Sequence, residues 1–120
     1  MSKTIMVVDD DPVSKQMTRR NLEQSGYAVL LAADGQEAMN TLQLQRPDII
    51  LLDVEMPNVN GYTFLTEMKK NENHASIPVI VLTAHENMEP IFRRHKVKGY
   101  LIKPLNTLVM LEKVKSILGE

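Results

Sequence analysis

The chain has 120 residues, of which 43% are apolar and 24% are charged, and its formal net charge is −1. This length predicts one domain, residues 1–120, with a core of its own. The absence of cysteine excludes a disulfide framework, a cysteine zinc site and a thiol nucleophile, and the balanced charge argues against a nucleic-acid-binding domain.

Membrane and secretory signals are missing from the sequence. The longest apolar run, Tyr27 to Ala33, is far shorter than a membrane-spanning helix requires. The first residues lack the apolar region and the small-residue cleavage site of a secretory signal. We therefore expect a cytoplasmic protein that binds neither membranes nor nucleic acid.

The first half of the chain alternates short apolar runs with amphipathic segments. Ile5–Val8 and Ala28–Ala32 are short, apolar runs, as buried strands are. Between them, Asp11 before Pro12 is typical of a helix N-cap, and the helix is predicted to continue to about Gln24. A second helix is predicted from residues 34–35 until proline 47 stops it.

The second half repeats this alternation. Strands are predicted at residues 49–52, 79–82 and 100–102, and a loop at residues 56–61. Helices are predicted around Phe64 to Met68, briefly around Ile91 to Arg94, and at the end of the chain. The last helix has an apolar stripe at helical spacing, formed by Leu105, Leu108, Leu111, Val114, Ile117 and Leu118. Five strands alternating with five helices predict an α/β fold, a doubly wound parallel sheet with helices on both faces.

Polar side chains follow the predicted strands. The first strand ends in Asp9 and Asp10, the third in Asp53, the fourth in Thr83 and the fifth in Lys103. In such sheets, ligands bind beyond the carboxyl ends of the strands, so these groups would converge there. Clustered carboxylates repel each other, and Mg²⁺ is the cation that suits them best. A carboxylate can also accept a phosphoryl group, whose oxygens need Mg²⁺, ammonium and hydroxyl partners. Asp53 is the best candidate for that nucleophile.

The chain resembles the receiver domains of two-component response regulators, in particular the stand-alone chemotaxis type. Five motifs carry the resemblance over essentially the whole chain: Val7-Val8-Asp9-Asp10-Asp11, Leu51-Leu52-Asp53-Val54-Glu55-Met56-Pro57, Asn60-Gly61, Leu82-Thr83-Ala84 and Tyr100-Leu101-Ile102-Lys103-Pro104. The resemblance implies a flavodoxin-like fold with strand order 2-1-3-4-5. It also implies a signalling switch that accepts a phosphoryl group on Asp53 from a histidine kinase or a histidine phosphotransfer protein.

The resemblance assigns the metal site. Asp10 would ligate Mg²⁺ directly, Asp9 would act mostly through a metal-bound water, and Asp53 and the backbone carbonyl of Glu55 would complete the protein ligands. Mn²⁺ is an alternative to Mg²⁺ at such a site.

The resemblance also assigns the switch. Lys103 would pair with the phosphoryl group, and its peptide bond to Pro104 would be cis. Thr83 and the backbone of Ala84 would contact phosphoryl oxygens, and Tyr100 would change rotamer in response. The signal would appear on the surface made by the fourth helix, the fifth strand and the fifth helix, where a phosphorylation-dependent homodimer is also an expectation.

Two further positions are expected to tune the lifetime of the phosphoryl group. They are Glu55, two residues after the acceptor, and His85, two residues after Thr83. Self-catalysed phosphorylation and hydrolysis would be weak, so the chain is not expected to be a metabolic enzyme. The sequence does not identify the downstream target.

Plainer interpretations remain open for several residues. Asp9 and Asp10 could be solvated charges, Tyr100 could simply fill the sheet, and Asp11 is expected to be a cap and not a ligand. All three histidines, at positions 74, 85 and 95, are expected at the surface.

Two other functions compete with the switch. One is a pseudo-receiver that binds partners without phosphorylation, favoured by the unusual segment from Thr83 to Tyr100, where the fourth helix is expected to be short or irregular. The other is a Mg²⁺-dependent phosphatase with an aspartate nucleophile. Such an enzyme needs a substrate-capping element, and 120 residues leave little room for one.

Overall fold

The computed structural model describes residues 3–54, 61–84 and 97–120. In these ranges strands and helices alternate along the chain. Their bounds are β1 Thr4–Val8, α1 Pro12–Gln24, β2 Ala28–Ala32, α2 Gly35–Leu44, β3 Ile49–Asp53, α3 Gly61–Lys69, β4 Val79–Thr83, β5 Gly99–Ile102 and α4 Thr107–Leu118. The last helix, α4, corresponds to the fifth helix of the sequence prediction, since the predicted fourth helix lies outside the described residues.

The five strands form one parallel sheet in the order β2-β1-β3-β4-β5, as predicted. The three central strands are almost completely buried, whereas the edge strands β2 and β5 are mostly half-buried. Strands covered on both faces have no polar face to present, which is why their sequences are continuous apolar runs.

Alternate residues of each strand point to opposite faces and so contribute to two separate core clusters. One cluster joins Met6, Ile50 and Leu52 to residues of α2 and α3. The other joins Ile5, Leu51 and their neighbours to residues of α1 and α4. Helices therefore cover both faces of the sheet, and the fold is the predicted doubly wound α/β fold.

Side-chain caps fix where three helices begin. Asp11 accepts hydrogen bonds from the backbone N–H groups of Val13 and Ser14, as the sequence predicted for the start of α1. Asp34 and Asn106 cap α2 and α4 in the same way. Each cap satisfies backbone donors that the first turn of a helix leaves unpaired.

Two expectations about burial were wrong. His74 is only 7% exposed, not a surface residue, because the turn between α3 and β4 folds it inward. Leu108, placed in the apolar stripe of the last helix, is 72% exposed, and Met110 is buried there instead. The stripe is rotated because α4 packs on the sheet mainly through Met110 and Val114. Among the described residues, no helix has the length and hydropathy needed to cross a membrane.

Candidate functional site

The carboxyl ends of four parallel strands, β1, β3, β4 and β5, bring the predicted polar residues to one edge of the sheet. Asp53 is the last residue of β3, Thr83 is the last residue of β4, and Lys103 follows β5 directly. Interstrand backbone bonds continue to this edge, since Lys103 N–H donates to the Thr83 carbonyl at 2.7 Å and Asp9 N–H donates to the Ala32 carbonyl at 3.0 Å. The backbone that carries the site is therefore held by the sheet ladder itself.

The Asp53 carboxylate forms an ion pair with Lys103, whose Nζ lies 2.8 Å from Asp53 Oδ2. The side chain of Asp53 is 3% exposed, whereas that of Lys103 is 31% exposed. A carboxylate this deeply buried is costly unless a cation and hydrogen bonds compensate its charge. Lys103 provides that compensation from the solvent side of the site.

Asp9, Asp10 and Asp53 form a cluster in which one carboxylate oxygen of each lies within 4.8 Å of the others. Asp9 and Asp53 are buried, and Asp10 is exposed. One carboxylate oxygen of Asp9 is oriented by a hydrogen bond, because the Asp11 backbone N–H donates to Asp9 Oδ1 at 2.9 Å. Three hard oxygen donors at this spacing fit a divalent cation of the magnesium type, which prefers carboxylate and water ligands.

Asp11 has a different role from its two neighbours. Its carboxylate faces α1, where Oδ1 accepts from Val13 N–H at 3.0 Å and from Ser14 N–H at 3.4 Å. A carboxylate engaged with helix N–H groups is a cap, as expected for this position. The contiguous acids of the sequence thus divide into two cluster residues and one cap.

A cleft of about 600 Å³ opens over the acidic cluster. Asp9, Asp10, Asp53 and Lys103 line one end of it. The other end lies between α1 and the start of α4 and is lined by Met17, Thr18, Asn21, Leu105, Thr107 and Met110, among others. The cleft is open to solvent beside the exposed Asp10 and leads to Asp53.

Thr83 and Tyr100 share one face of the sheet. Tyr100 pairs with Val81 and Ile102 pairs with Thr83 on the adjacent strand. Since side chains two residues apart point to the same face, Thr83, Val81 and Tyr100 lie on the face covered by α2 and α3. Thr83 is completely buried and Tyr100 is half-buried. Thr83 and Tyr100 therefore lie on the same face of two adjacent strands.

Of the remaining predicted site residues, some lie in the described ranges and some lie outside them. Ala84 is exposed directly after β4, and the peptide bond between Lys103 and Pro104 is cis. Glu55 and His85 lie outside the described residues, as do Asn60 and the predicted fourth helix.

Sequence reasoning missed the α1 wall of the cleft. Ser14, Met17, Thr18 and Asn21 all line it, and they recur every three or four residues along α1. That spacing places them on one face of a helix. The helical spacing of these residues can be read from the sequence, but their mixed polarity does not distinguish a cleft wall from an ordinary helix surface.

The comparisons with known proteins agree with this geometry. A profile of the response regulator receiver domain matches residues 5–115. The chain belongs to this family. It is 32% identical to the polar-differentiation response regulator DivK of Brucella anthropi, over 100% of this chain and 99% of that protein.

Solved receiver structures superpose on the chain closely. The chemotaxis protein CheY4 of Vibrio cholerae has a TM-score of 0.91 and 29% identity, covering 98% of this chain and 99% of that one. The receiver domain of the sensor histidine kinase PA1611 of Pseudomonas aeruginosa has a TM-score of 0.90 and 30% identity, with both chains fully covered. That structure contains a magnesium ion coordinated in its active-site cleft.

Proposed function

We propose that this receiver domain is a phosphorylation-dependent switch whose phosphoacceptor is Asp53. The observation that carries the proposal is the cluster of Asp9, Asp10 and Asp53 with Lys103 Nζ at 2.8 Å from the acceptor carboxylate. A simple docking module has no need of a buried, lysine-paired carboxylate beside two further acids. Histidine kinases or histidine phosphotransfer proteins are the donors that suit membership of this family.

The chemistry is the transfer of a phosphoryl group to a carboxylate. An oxygen of Asp53 attacks phosphorus and forms an acyl phosphate, while the phosphorus–nitrogen bond of the donor phosphohistidine breaks and its electron pair returns to the imidazole. Lys103 leaves Asp53 Oδ2 to pair with a phosphoryl oxygen, and Thr83 and the Ala84 backbone contact the others. Attack of water on the acyl phosphate later regenerates Asp53.

Mg²⁺ would be held by Asp9, Asp10, Asp53 and the Glu55 carbonyl, with Mn²⁺ as a substitute, and would neutralise negative charge on the transferred group. Without a cation, these carboxylates would repel an anionic donor. The self-catalysed reactions are weak, and Glu55 and His85 tune the rate of hydrolysis.

The output of the switch is a population shift. Contacts that Thr83 and Lys103 make only with the phosphoryl group stabilise a second conformation, and Tyr100 on the same sheet face responds to it. The altered surface is made by the predicted fourth helix, β5 and α4. A downstream protein, or a second copy of this chain, would bind there.

Intact mass after incubation with acetyl phosphate tests the proposal. We expect one phosphoryl adduct in the wild type with Mg²⁺, and none with EDTA or in Asp53→Asn. Asp48→Asn is a matched control, because Asp48 binds the Thr4 backbone N–H at 2.7 Å at the opposite edge of the sheet. If no adduct forms and beryllofluoride also fails to bind, the switch is overturned in favour of a pseudo-receiver.

A further inference from the structure

Helix α4 is tied to the α1–β2 region at both of its ends. At its start, Asn21 Nδ2 in the last turn of α1 donates to Thr107 Oγ1 at 3.2 Å. At its end, the Tyr27 hydroxyl donates to Glu120 Oε1 at 2.8 Å, just beyond the Gly119 cap. The residues that bind the two ends of α4, Asn21 and Tyr27, belong to one stretch of seven residues.

The packing between the two ties adds to this attachment. Leu22 and Tyr27 belong to the same core cluster as Met110 and Val114 of α4. Tyr27 is only 6% exposed, so its ring is part of the core and its hydroxyl is aimed at Glu120. The end of α1 and α4 therefore share one core cluster in addition to the two hydrogen bonds at the ends of α4.

The start of α4 is also close in sequence to the phosphoryl site. Only residues 104–106 separate Lys103 from Thr107. Three residues span at most about 11 Å. Only this short segment therefore separates the lysine that would change partner on phosphorylation from the first turn of α4.

We propose that α1 and α4 move as one unit when Asp53 is phosphorylated, coupled by the Asn21–Thr107 and Tyr27–Glu120 hydrogen bonds. This inference rests on the proposed function. Its consequence is that apolar side chains exposed on both helices, Val13 and Met17 on α1 and Leu108 on α4, change position together. A surface that includes α1 then responds to phosphorylation in concert with α4.

Hydrogen exchange followed by mass spectrometry tests the coupling, with Mg²⁺ and beryllofluoride as the probe. The measured quantity is the ratio of exchange rates without and with beryllofluoride, in α1, in α4 and in the reference helix α2. In the wild type we expect the ratio to change in both α1 and α4. In the double variant with Asn21→Ala and Tyr27→Phe, α4 still responds, and the response of α1 falls by about twofold to tenfold, the equivalent of about one net hydrogen bond.

The ratio separates coupling from stability, because a merely destabilised helix exchanges faster with and without the probe. Asn40→Ala is the matched control, since Asn40 accepts an exposed 3.2 Å hydrogen bond from Gln36 within α2. If the double variant fails to fold, Asn21→Ala alone decides, because that bond is exposed.

Three results would overturn the inference. In the first, the wild type binds beryllofluoride and α4 responds, but α1 does not. In the second, the α1 response is the same in the variants as in the wild type. In the third, beryllofluoride does not bind at all, and the proposed function falls together with the inference that rests on it.

Discussion

Lys103 and Asp53 form their 2.8 Å ion pair although their strands are not neighbours. Strand β4 lies between β3 and β5, and the two outer strands are about 9.6 Å apart because each interstrand step is about 4.8 Å. The lysine side chain, the 2.8 Å contact and the aspartate side chain together bridge this distance past the end of β4, where Thr83 is located. A long, flexible cation is therefore required at this position.

Removing the charge of Lys103 should destabilise the fold. In Lys103→Met, the Asp53 carboxylate stays buried without its cation, and we expect the free energy of unfolding to fall by about 1–3 kcal/mol, a value reduced for the partial exposure of the lysine. Urea unfolding without Mg²⁺ measures the loss. Adding Asp53→Asn should restore most of the stability, and a Lys103→Met variant as stable as the wild type would contradict the argument.

Magnesium should stabilise the protein through the acidic cluster. Binding to the folded state alone raises the free energy of unfolding by about 1.4 kcal/mol when the free ion is tenfold above its dissociation constant. Thermal unfolding with Mg²⁺ and with EDTA should show this rise in the wild type and little of it in Asp10→Asn.

The control for that experiment is Asp11→Asn. Asparagine caps a helix about as well as aspartate, so this variant loses a neighbouring charge and keeps the start of α1. It should retain most of the stabilisation by Mg²⁺. Equal losses in the two variants would show that the ion responds to the general negative charge and not to the cluster.

Tyr27 should lose its proton at a higher pH than an ordinary tyrosine. Burial, followed by its hydrogen bond to Glu120 and the charge of that carboxylate, raises the pKa of Tyr27 from 10.0 to about 12. Because the folded-state pKa is the higher one, this contribution to stability is complete below pH 10 and is lost as the pH rises toward 12. The ultraviolet absorbance of phenolate in the wild type and in Tyr27→Phe isolates the residue, and Glu120→Gln should lower its pKa. A Tyr27 that ionises with an ordinary pKa would refute this prediction.

Two glycines should respond differently to alanine. At Gly61 a Cβ would lie 2.6 Å from Val54 Cα, and a backbone atom can move only with the strand behind it. At Gly99 the Cβ would meet the end of the Lys113 side chain, which can rotate away. In urea unfolding we expect Gly61→Ala to lower the free energy of unfolding by roughly 1–3 kcal/mol, although alanine favours helices. Gly99→Ala should lower it by less. The reverse order would disprove the steric argument.

The strand ends were predictable from sequence because strand polarity leaves little choice. An acid directly after a buried apolar run, as at Asp53, must lie at the carboxyl edge, and parallel strands place all such ends together. The same logic predicts the positions of Thr83 and Lys103. The order of the strands came from the resemblance and not from periodicity.

Burial of individual side chains was less predictable, because it depends on how an element is rotated. The spacing of Leu105, Leu108 and Leu111 indicates a stripe, yet the helix turns Met110 and Val114 toward the sheet. His74 is buried by the turn that follows α3. The last residue of that helix, Lys69, stabilises the turn by donating from Nζ to the Ala75 carbonyl at 3.0 Å. Neither the rotation of a helix about its axis nor a side-chain contact of this kind follows from a simple sequence pattern.

The amino edge of the sheet contains features unlike those of the acidic edge. Arg46, between α2 and β3, donates to the Asn73 carbonyl and to Ser76 Oγ in the turn before β4, and Asp48 binds Thr4. These contacts join one connecting loop to another and touch none of the residues that line the cleft. Substitutions at Arg46 or Asp48 can therefore change how firmly these segments are joined without removing a group that lines the cleft, so the two properties are free to evolve separately.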